Sequence, residues 1–118
     1  MYRGEVWLIN LDPTIGAEIK KTRPAVIVND DAVGILPLKV IVPITDWKDR
    51  YAVAAWMVRL QANAENGLSK ASAADAFQVR SVSQERFVRR LGKLSDAVMH
   101  DITGALAVVL SIEPSSIR

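Results

Sequence analysis

The basic residues of this sequence fall into two groups whose spacing suits phosphate binding. Lys20, Lys21 and Arg23 stand directly before Pro24. The second group lies further along the chain and consists of Arg86, Arg89, Arg90 and Lys93. Arginine can hold a phosphate through two parallel hydrogen bonds, so either group is a candidate anion site. For the second group, an ordinary solvated surface is an open alternative.

Arg23 differs from the other basic residues because the proline after it fixes the backbone at the start of a predicted strand. A long polar loop precedes it, and loops held by a rigid scaffold often carry function. Thr45 ends the next predicted strand. Consecutive strands joined by a short connection usually pair. We therefore expect Arg23 and Thr45 at one rim of the sheet, where a guanidinium and a hydroxyl together could hold a phosphate.

Other catalytic chemistries lack the residues that they need. The chain has no cysteine and a single histidine, His100. This excludes thiolate nucleophiles, zinc ribbons and a two-histidine ribonuclease mechanism. The acidic residues do not converge in the way that a metal-dependent nuclease requires. We expect neither a metal nor a cofactor.

Length and composition indicate one ordinary globular domain spanning residues 1–118. Half of the 118 residues are apolar and 24% are charged. The net charge of +2 and the pI of about 9.2 permit a nucleic-acid partner without establishing one. No apolar segment reaches the roughly 20 residues of a membrane helix, and the N-terminus is not a signal peptide. The expected compartment is the cytoplasm, with no membrane association.

The hydrophobic pattern predicts short strands without intervening helices, which favours an antiparallel sheet curled into a small barrel or half-barrel. The predicted strands cover residues 5–11, 25–29, 39–45, 54–60 and 76–82, and residues 87–94 form either a strand or a turn. Polar loops are expected at 14–23 and 46–51.

A single amphipathic helix is predicted at the C-terminal end. Ser95 can cap it and Pro114 stops it. Its apolar stripe is expected to consist of Val98, Ile102, Leu106, Val109 and Ile112.

Four segments of the sequence resemble the MazF/PemK/Kid family of toxin endoribonucleases, in the family's order and spacing. They are Arg3–Trp7 (RGEVW) followed by Asp12-Pro13, Gly16–Val28 (GAEIKKTRPAVIV), Val40–Thr45 (VIVPIT) and Gln78–Arg86 (QVRSVSQER). The resemblance covers nearly the whole chain. It implies an SH3-like, CcdB/PemK-type antiparallel barrel with a C-terminal helix, and it implies a homodimer.

The same resemblance implies a toxin of a type II toxin-antitoxin system that cleaves single-stranded mRNA and is blocked by a cognate antitoxin. The family's catalytic arginine and threonine match Arg23 and Thr45. Many relatives carry an acidic residue immediately before the glutamine that matches Gln78, where this sequence has Phe77. Asp75 lies two residues upstream, on the same face of the predicted strand, and is expected to take that acidic role.

The predicted chemistry uses the 2′-hydroxyl of the RNA as nucleophile, without a metal. Arg23 would stabilise the pentacovalent phosphate, and Thr45 would donate a hydrogen bond to a phosphate oxygen. Arginine is a poor acid at neutral pH, which favours an electrostatic role for Arg23. RNA is expected to bind along the two polar loops by stacking and by contacts with basic and polar groups. The predicted RNA-binding residues are Glu18, Lys20, Lys21, Trp47, Gln78 and Arg80, with Tyr51 as a further stacking candidate.

Two other readings stay open. A CcdB-like toxin would share the barrel and act by binding gyrase without cleaving RNA. A catalytically dead SH3-like module would bind a partner and do nothing further. Cleavage of a mixed RNA in EDTA separates both readings from a metal-independent ribonuclease.

Overall fold

The computed structural model describes residues 1–34 and 36–113, which form an antiparallel sheet of seven strands and one C-terminal α-helix. The helix, α1, spans Asp96–Leu110, and short 3-10 helices occupy Asp49–Val53, Ala76–Gln78 and Gln84–Arg86. This mainly β fold with a terminal helix confirms the coarse prediction from sequence. The strands are β1 (Glu5–Asn10), β2 (Thr22–Ile27), β3 (Leu38–Asp46), β4 (Met57–Leu60), β5 (Ser72–Asp75), β6 (Arg80–Ser83) and β7 (Phe87–Lys93).

The prediction of one strand over residues 76–82 is wrong. The chain instead leaves β5 at Asp75, makes a turn of 3-10 helix and enters β6 at Arg80. Asp75 causes the break, because its carboxylate accepts a hydrogen bond from the backbone N–H of Phe77 at 3.1 Å. Such short-range side-chain caps compete with strand pairing. Asp75 and position 77 therefore do not share a strand face as expected.

The sheet runs in the order β4-β5-β3-β2-β1-β7, and β6 pairs with β3 beside β5. Strand β3 is the centre of this arrangement, since it pairs with β2 along one edge and with β5 and β6 along the other. Within the described residues β4 and β7 do not pair, so the path of strands is open.

Two apolar layers lie on opposite faces of the central strands, as strand alternation requires. Val6, Val26, Val42 and Ile44 pack on one face against α1 through Met99 and Ile102. On the other face a second cluster forms beneath the β1–β2 loop, made of Ile9, Leu11, Ala25, Ile27, Ile41 and Val82. The strands that carry the predicted site are thus supported from both sides.

Helix α1 begins as predicted, with the Ser95 hydroxyl accepting a hydrogen bond from the Val98 N–H at 3.2 Å. It ends at Leu110, and Ser111 adopts a left-handed conformation with φ of 57°. The predicted apolar stripe does face the core, since Ile102 is buried and Val98 and Leu106 pack against the core cluster. The buried face also includes Met99 and Ala105, which the prediction left out. Ile112 is exposed beyond the helix end. Pro114 lies outside the described residues. Among those described, no helix is both long and apolar enough to cross a bilayer.

The β1–β2 loop, residues 11–21, is tied down by side chains from the second half of the chain. The Gln78 amide accepts from the Ile19 N–H at 2.6 Å and donates to the Ala17 carbonyl at 3.2 Å. Arg80 donates to the Leu11 carbonyl at 3.2 Å, and Arg86 donates to the Asp12 carbonyl. These bonds fix the loop that leads directly into Arg23.

The β4–β5 loop lies against β7, beside the cleft residues of β2 and β3, because two glycines allow a close backbone contact. A side chain on Gly92 would put its Cβ 2.6 Å from the Asn66 carbonyl carbon. Gly67 has φ of +69° and approaches the backbone of Leu91 just as closely. This contact brings loop residues 67–70 beside β1 and β7.

Candidate active site

Arg23 and Thr45 lie side by side at one end of the paired strands β2 and β3. The β2–β3 register ends with the pair Ala25–Pro43, and Arg23 and Thr45 each lie two residues beyond that pair. Both residues line a cleft of about 340 Å³. The two are only partly exposed. The pair expected from sequence is therefore brought together, at the rim where it was predicted.

The hydrogen-bonding groups of this pair remain available. Arg23 uses its Nε to donate to the Lys20 carbonyl at 3.1 Å. Among the described residues, nothing accepts a hydrogen bond from its two terminal nitrogens, and none bonds the Thr45 hydroxyl. The guanidinium is thus held at its base by the β1–β2 loop while its two-pronged end is free. This arrangement fits a tetrahedral oxyanion.

The cleft carries an excess of positive charge. Arg23, Lys70 and Arg89 line it, and Asp46 is the only acidic residue among the described lining residues. Lys70 and Asp46 form an ion pair at 3.2 Å, with both side chains more than half exposed. Two of the three cations therefore remain without an acidic partner in the lining. Such a surface attracts phosphates.

A second cleft, of about 520 Å³, opens on the other face of the sheet at the same end. Strand alternation directs the Arg23 and Thr45 side chains toward this face, which also carries Ala25 and Pro43. Pro43 lines the second cleft, together with Glu18, Ile19, Phe77, Gln78 and Arg80. Arg23 and Thr45 thus stand at the rim of the first cleft, and the described lining of the second cleft does not include them.

Three of the predicted RNA-binding residues, Glu18, Gln78 and Arg80, line the second cleft. Their polar groups already serve the loop: Glu18 accepts from the Ile15 N–H at 2.6 Å, while Gln78 and Arg80 bond loop backbone. These residues shape the site by holding its loop. Lys20 and Lys21 have exposed side chains, and the Lys21 N–H donates to Asp12 at 3.1 Å.

Trp47 lies just beyond Thr45 and is half-buried. Its indole N–H donates to Asp49 at 3.3 Å, and its ring meets Tyr51 edge-on at 5.9 Å. The Arg59 guanidinium lies 4.9 Å from the centre of the ring. One face of the indole is thus occupied, so a stacked base would have to use the other face.

Asp75 lies on β5, two residues beyond Ala73, which pairs with Thr45. It is 6% exposed, and it is absent from the described linings of both clefts. Burial raises the pKa of the Asp75 carboxyl, against the lowering effect of hydrogen bonds from the Phe77 and Gln78 backbone. Its observed role is to cap the turn that presents Phe77 and Gln78. Direct catalysis by Asp75 stays a prediction.

The raised pKa of Asp75 predicts a pH-dependent cost to stability. A raised folded-state pKa means that the folded protein binds the proton more tightly than the unfolded chain does. Stability should therefore fall as the pH rises from the ordinary aspartate pKa through the raised one. Asp75→Asn keeps an acceptor for the Phe77 N–H but carries no charge. Its free energy of unfolding, measured in urea between pH 4 and 7, should increase relative to that of wild type as the pH rises. Asp101→Asn controls for the net charge, and a difference that is constant with pH would contradict the burial cost.

Sequence reasoning did not anticipate Lys70 as part of the site, and it left the role of Arg89 open. Lys70 lies in the β4–β5 loop and reaches the cleft through the contact between that loop and β7. Phe77 was considered only as the position at which many relatives carry an acidic residue. It is 69% exposed, and its ring lies 6.0 Å from that of Trp56. No group of three or more His, Cys, Asp or Glu side chains that could hold a metal occurs in residues 1–34 and 36–113.

The amino-acid sequence matches a known protein family. Residues 2–110 match the model of the PemK-like, MazF-like toxins of type II toxin-antitoxin systems. The chain belongs to this family.

Named relatives agree with that assignment. Endoribonuclease MazF9 of Mycobacterium tuberculosis is 33% identical over 118 residues, covering 95% of this chain and 98% of the relative. Endoribonuclease PemK of Escherichia coli is 32% identical over 113 residues, covering 94% of this chain and 83% of the relative.

Solved structures share the fold at lower identity. MazF from Deinococcus radiodurans superposes with a TM-score of 0.80 at 24% identity, over 95% of this chain and 97% of that one. A mycobacterial endoribonuclease in complex with its cognate antitoxin superposes with a TM-score of 0.76 at 20% identity, covering 96% and 97% of the two chains.

Proposed function

We propose that this protein is the toxin of a type II toxin-antitoxin system and cleaves single-stranded RNA by metal-independent transphosphorylation. The observation that carries the proposal is that Arg23 and Thr45 both line a positively charged cleft. Among the described residues, the two terminal nitrogens of Arg23 and the Thr45 hydroxyl have no hydrogen-bond partner. The endoribonuclease names of its relatives support the same activity.

In the proposed reaction the 2′-oxygen attacks the adjacent phosphorus as its proton passes to solvent water. The bond to the 5′-oxygen breaks, and that oxygen takes up a proton from solvent water. The products are a 2′,3′-cyclic phosphate and a 5′-hydroxyl. Arg23 stabilises the charge that accumulates on the phosphate oxygens, and Thr45 donates a hydrogen bond to one of them. Gln78 and Asp75 act as positioning residues, through the loop and the turn that they hold.

The direct test incubates the purified protein with a mixed single-stranded RNA in EDTA. We expect cleavage to proceed at the same rate with EDTA as without it. Ends mapped by sequencing should carry 5′-hydroxyl groups. An intact RNA would support the gyrase-binding or the catalytically dead alternative, and strong activation by Mg²⁺ would overturn the transphosphorylation mechanism.

The proposed assembly is a homodimer that acts in the cytoplasm and is inhibited by a cognate antitoxin. Large apolar side chains remain exposed in the single chain, including Val53, Phe77 and Val108, and a second protomer would cover part of them. We also propose that the curled sheet is an SH3-like barrel, supported by the way β3 pairs along both of its edges.

Dimerisation has a simple measurement. Sedimentation at micromolar concentration should give about twice the chain mass of 13.0 kDa. The mass should not change with salt, because the exposed side chains invoked for the interface are apolar. A species with the mass of a single chain would contradict the homodimer. It would not bear on the cleavage proposal, which the RNA assay tests separately.

A further inference from the structure

The two adjacent arginines of β7 have different surroundings. Arg89 pairs with Leu8 in the register, and both line the cleft that holds Arg23 and Thr45. Arg90 pairs with Trp7, and its Nε lies 3.5 Å from a Glu5 carboxylate oxygen. Alternation along the strand sends the two side chains to opposite faces of the sheet.

The charge of Arg90 is matched, whereas that of Arg89 is not. Glu5 is only slightly exposed. Burial acts to raise its pKa, but hydrogen bonds and the positive charges of the N-terminus and Arg90 outweigh this, so its pKa is lowered. Among the described residues the Arg89 side chain forms neither an ion pair nor a hydrogen bond. It is exposed at the cleft with all of its donors free.

We propose that Arg89 is a phosphate-positioning residue for the RNA substrate, binding a phosphate next to the one that is cleaved. This inference rests on the proposed function. A polynucleotide held at Arg23 and Thr45 continues on both sides as a chain of phosphates, and Arg89 lines the cleft that opens from that rim. A guanidinium is also suited to a diester, since it can donate to both unbridged oxygens.

The local charge selects this occupant over an apolar protein segment. Lys70 adds a further cation to the cleft beside Arg23 and Arg89, and its ion pair with Asp46 is exposed enough to exchange for a phosphate. A binding surface for an apolar helix or strand would not keep unpaired cations at its centre. An acidic protein segment is the competing occupant, and the test below distinguishes it.

The experiment compares Arg89→Ala with Arg90→Ala, two variants with the same change in net charge at adjacent positions. Steady-state cleavage of a defined oligoribonucleotide gives KM and kcat. Arg89→Ala should raise KM about tenfold with kcat nearly unchanged, as expected for losing one charged contact. Arg90→Ala should leave both within twofold. Arg89→Lys should keep most of the affinity, because a point charge suffices for positioning.

Salt dependence provides a readout that a merely structural role would not move. Losing one phosphate contact lowers the slope of log affinity against log salt by about 0.7 for a single strand. Binding to an uncleavable 2′-O-methyl oligonucleotide should show this change for Arg89→Ala and no change for Arg90→Ala. Equal slopes for wild type and Arg89→Ala would overturn the proposal.

The phosphate that Arg89 contacts is located by replacing single phosphates of the oligonucleotide with uncharged linkages. A 2′-deoxy methylphosphonate is placed at one position at a time, with a 2′-deoxy phosphate as its control. Wild type should lose about tenfold in affinity at one position beside the cleaved bond, and Arg89→Ala should lose nothing further there. Additive losses at every position would overturn the assignment.

The outcomes separate this inference from the function on which it rests. If wild type does not cleave RNA yet binds it with an Arg89-dependent salt slope, the ribonuclease proposal fails and the phosphate contact stands. If wild type cleaves and Arg89→Ala behaves as wild type, only the phosphate contact fails. Unchanged RNA binding by Arg89→Ala, with weakened binding of an acidic peptide, would assign the surface to a protein.

Discussion

An RNA in which the attacked nucleotide carries hydrogen in place of its 2′-hydroxyl should resist cleavage completely, while the unmodified RNA is cut. In the proposed metal-independent reaction the nucleophile is the substrate's own 2′-hydroxyl. In the proposed mechanism Arg23 and Thr45 would lower the barrier by holding and neutralising the phosphate, and this cannot replace a missing attacking group. The measurement is single-turnover cleavage of oligonucleotides with one 2′-deoxy residue at a defined position.

The matched substrates carry the same 2′-deoxy change one nucleotide to either side. They should be cut at close to the unmodified rate, because only one 2′-oxygen is in line with the broken bond. Binding of the resistant substrate should be unchanged, so that its resistance reflects chemistry. If the substrate that lacks the attacking 2′-hydroxyl is cleaved and keeps a phosphate on its 3′-end, water is the nucleophile.

The Arg23–Thr45 pair was predictable from sequence because local signals determine it. Pro24 marks the entry of β2, the β-branched run Val40–Thr45 forms β3, and a short connection joins the two strands. These features fix the pairing, and the pairing fixes the rim. Thr45 and Arg23 needed no distant contact to come together, although β2 begins at Thr22, before the proline.

Residues 72–83 were misread because a short-range hydrogen bond overrode the alternating pattern. The sequence from Ala76 to Val82 has the period of a strand, and nothing in that period shows that Asp75 will cap a turn. The expectation that Asp75 could replace an acid at position 77 depended on the same strand. Single-sequence patterns do not weigh a side-chain cap against a ladder of backbone bonds.

The positive cleft was not predictable, because long-range backbone contacts build it. Gly67 and Gly92 let the β4–β5 loop lie against β7, which brings Lys70 and Arg89 beside Arg23. The two glycines are separated by 25 positions in sequence, and neither belongs to a motif that predicts a contact between the β4–β5 loop and β7. Strand alternation did carry a usable signal: once β7 is recognised as a strand, Arg89 and Arg90 must face opposite sides.

Arg23 provides the sharpest test of the site itself. Replacing it with alanine should lower the single-turnover rate by about 10²–10³, the usual cost of losing one preorganised donor to a developing charge. Arg23→Lys should fail nearly as badly. Lysine keeps the charge but not the planar two-pronged end, and it also loses the Nε bond to the Lys20 carbonyl that orients the side chain.

The lysine variant distinguishes catalysis from steering, and Arg89→Lys is its matched counterpart. A residue that only attracts RNA is rescued by any cation, so a lysine at position 23 that restores most of the rate would reduce Arg23 to steering. Thermal melts are needed beside the kinetics. Arg23 lies at the rim of the cleft, so its variants should lose no more than about 0.5 kcal/mol of stability. A melting temperature that collapses in both variants would mean that Arg23 anchors the β1–β2 loop, and full activity in Arg23→Ala would remove it from the site.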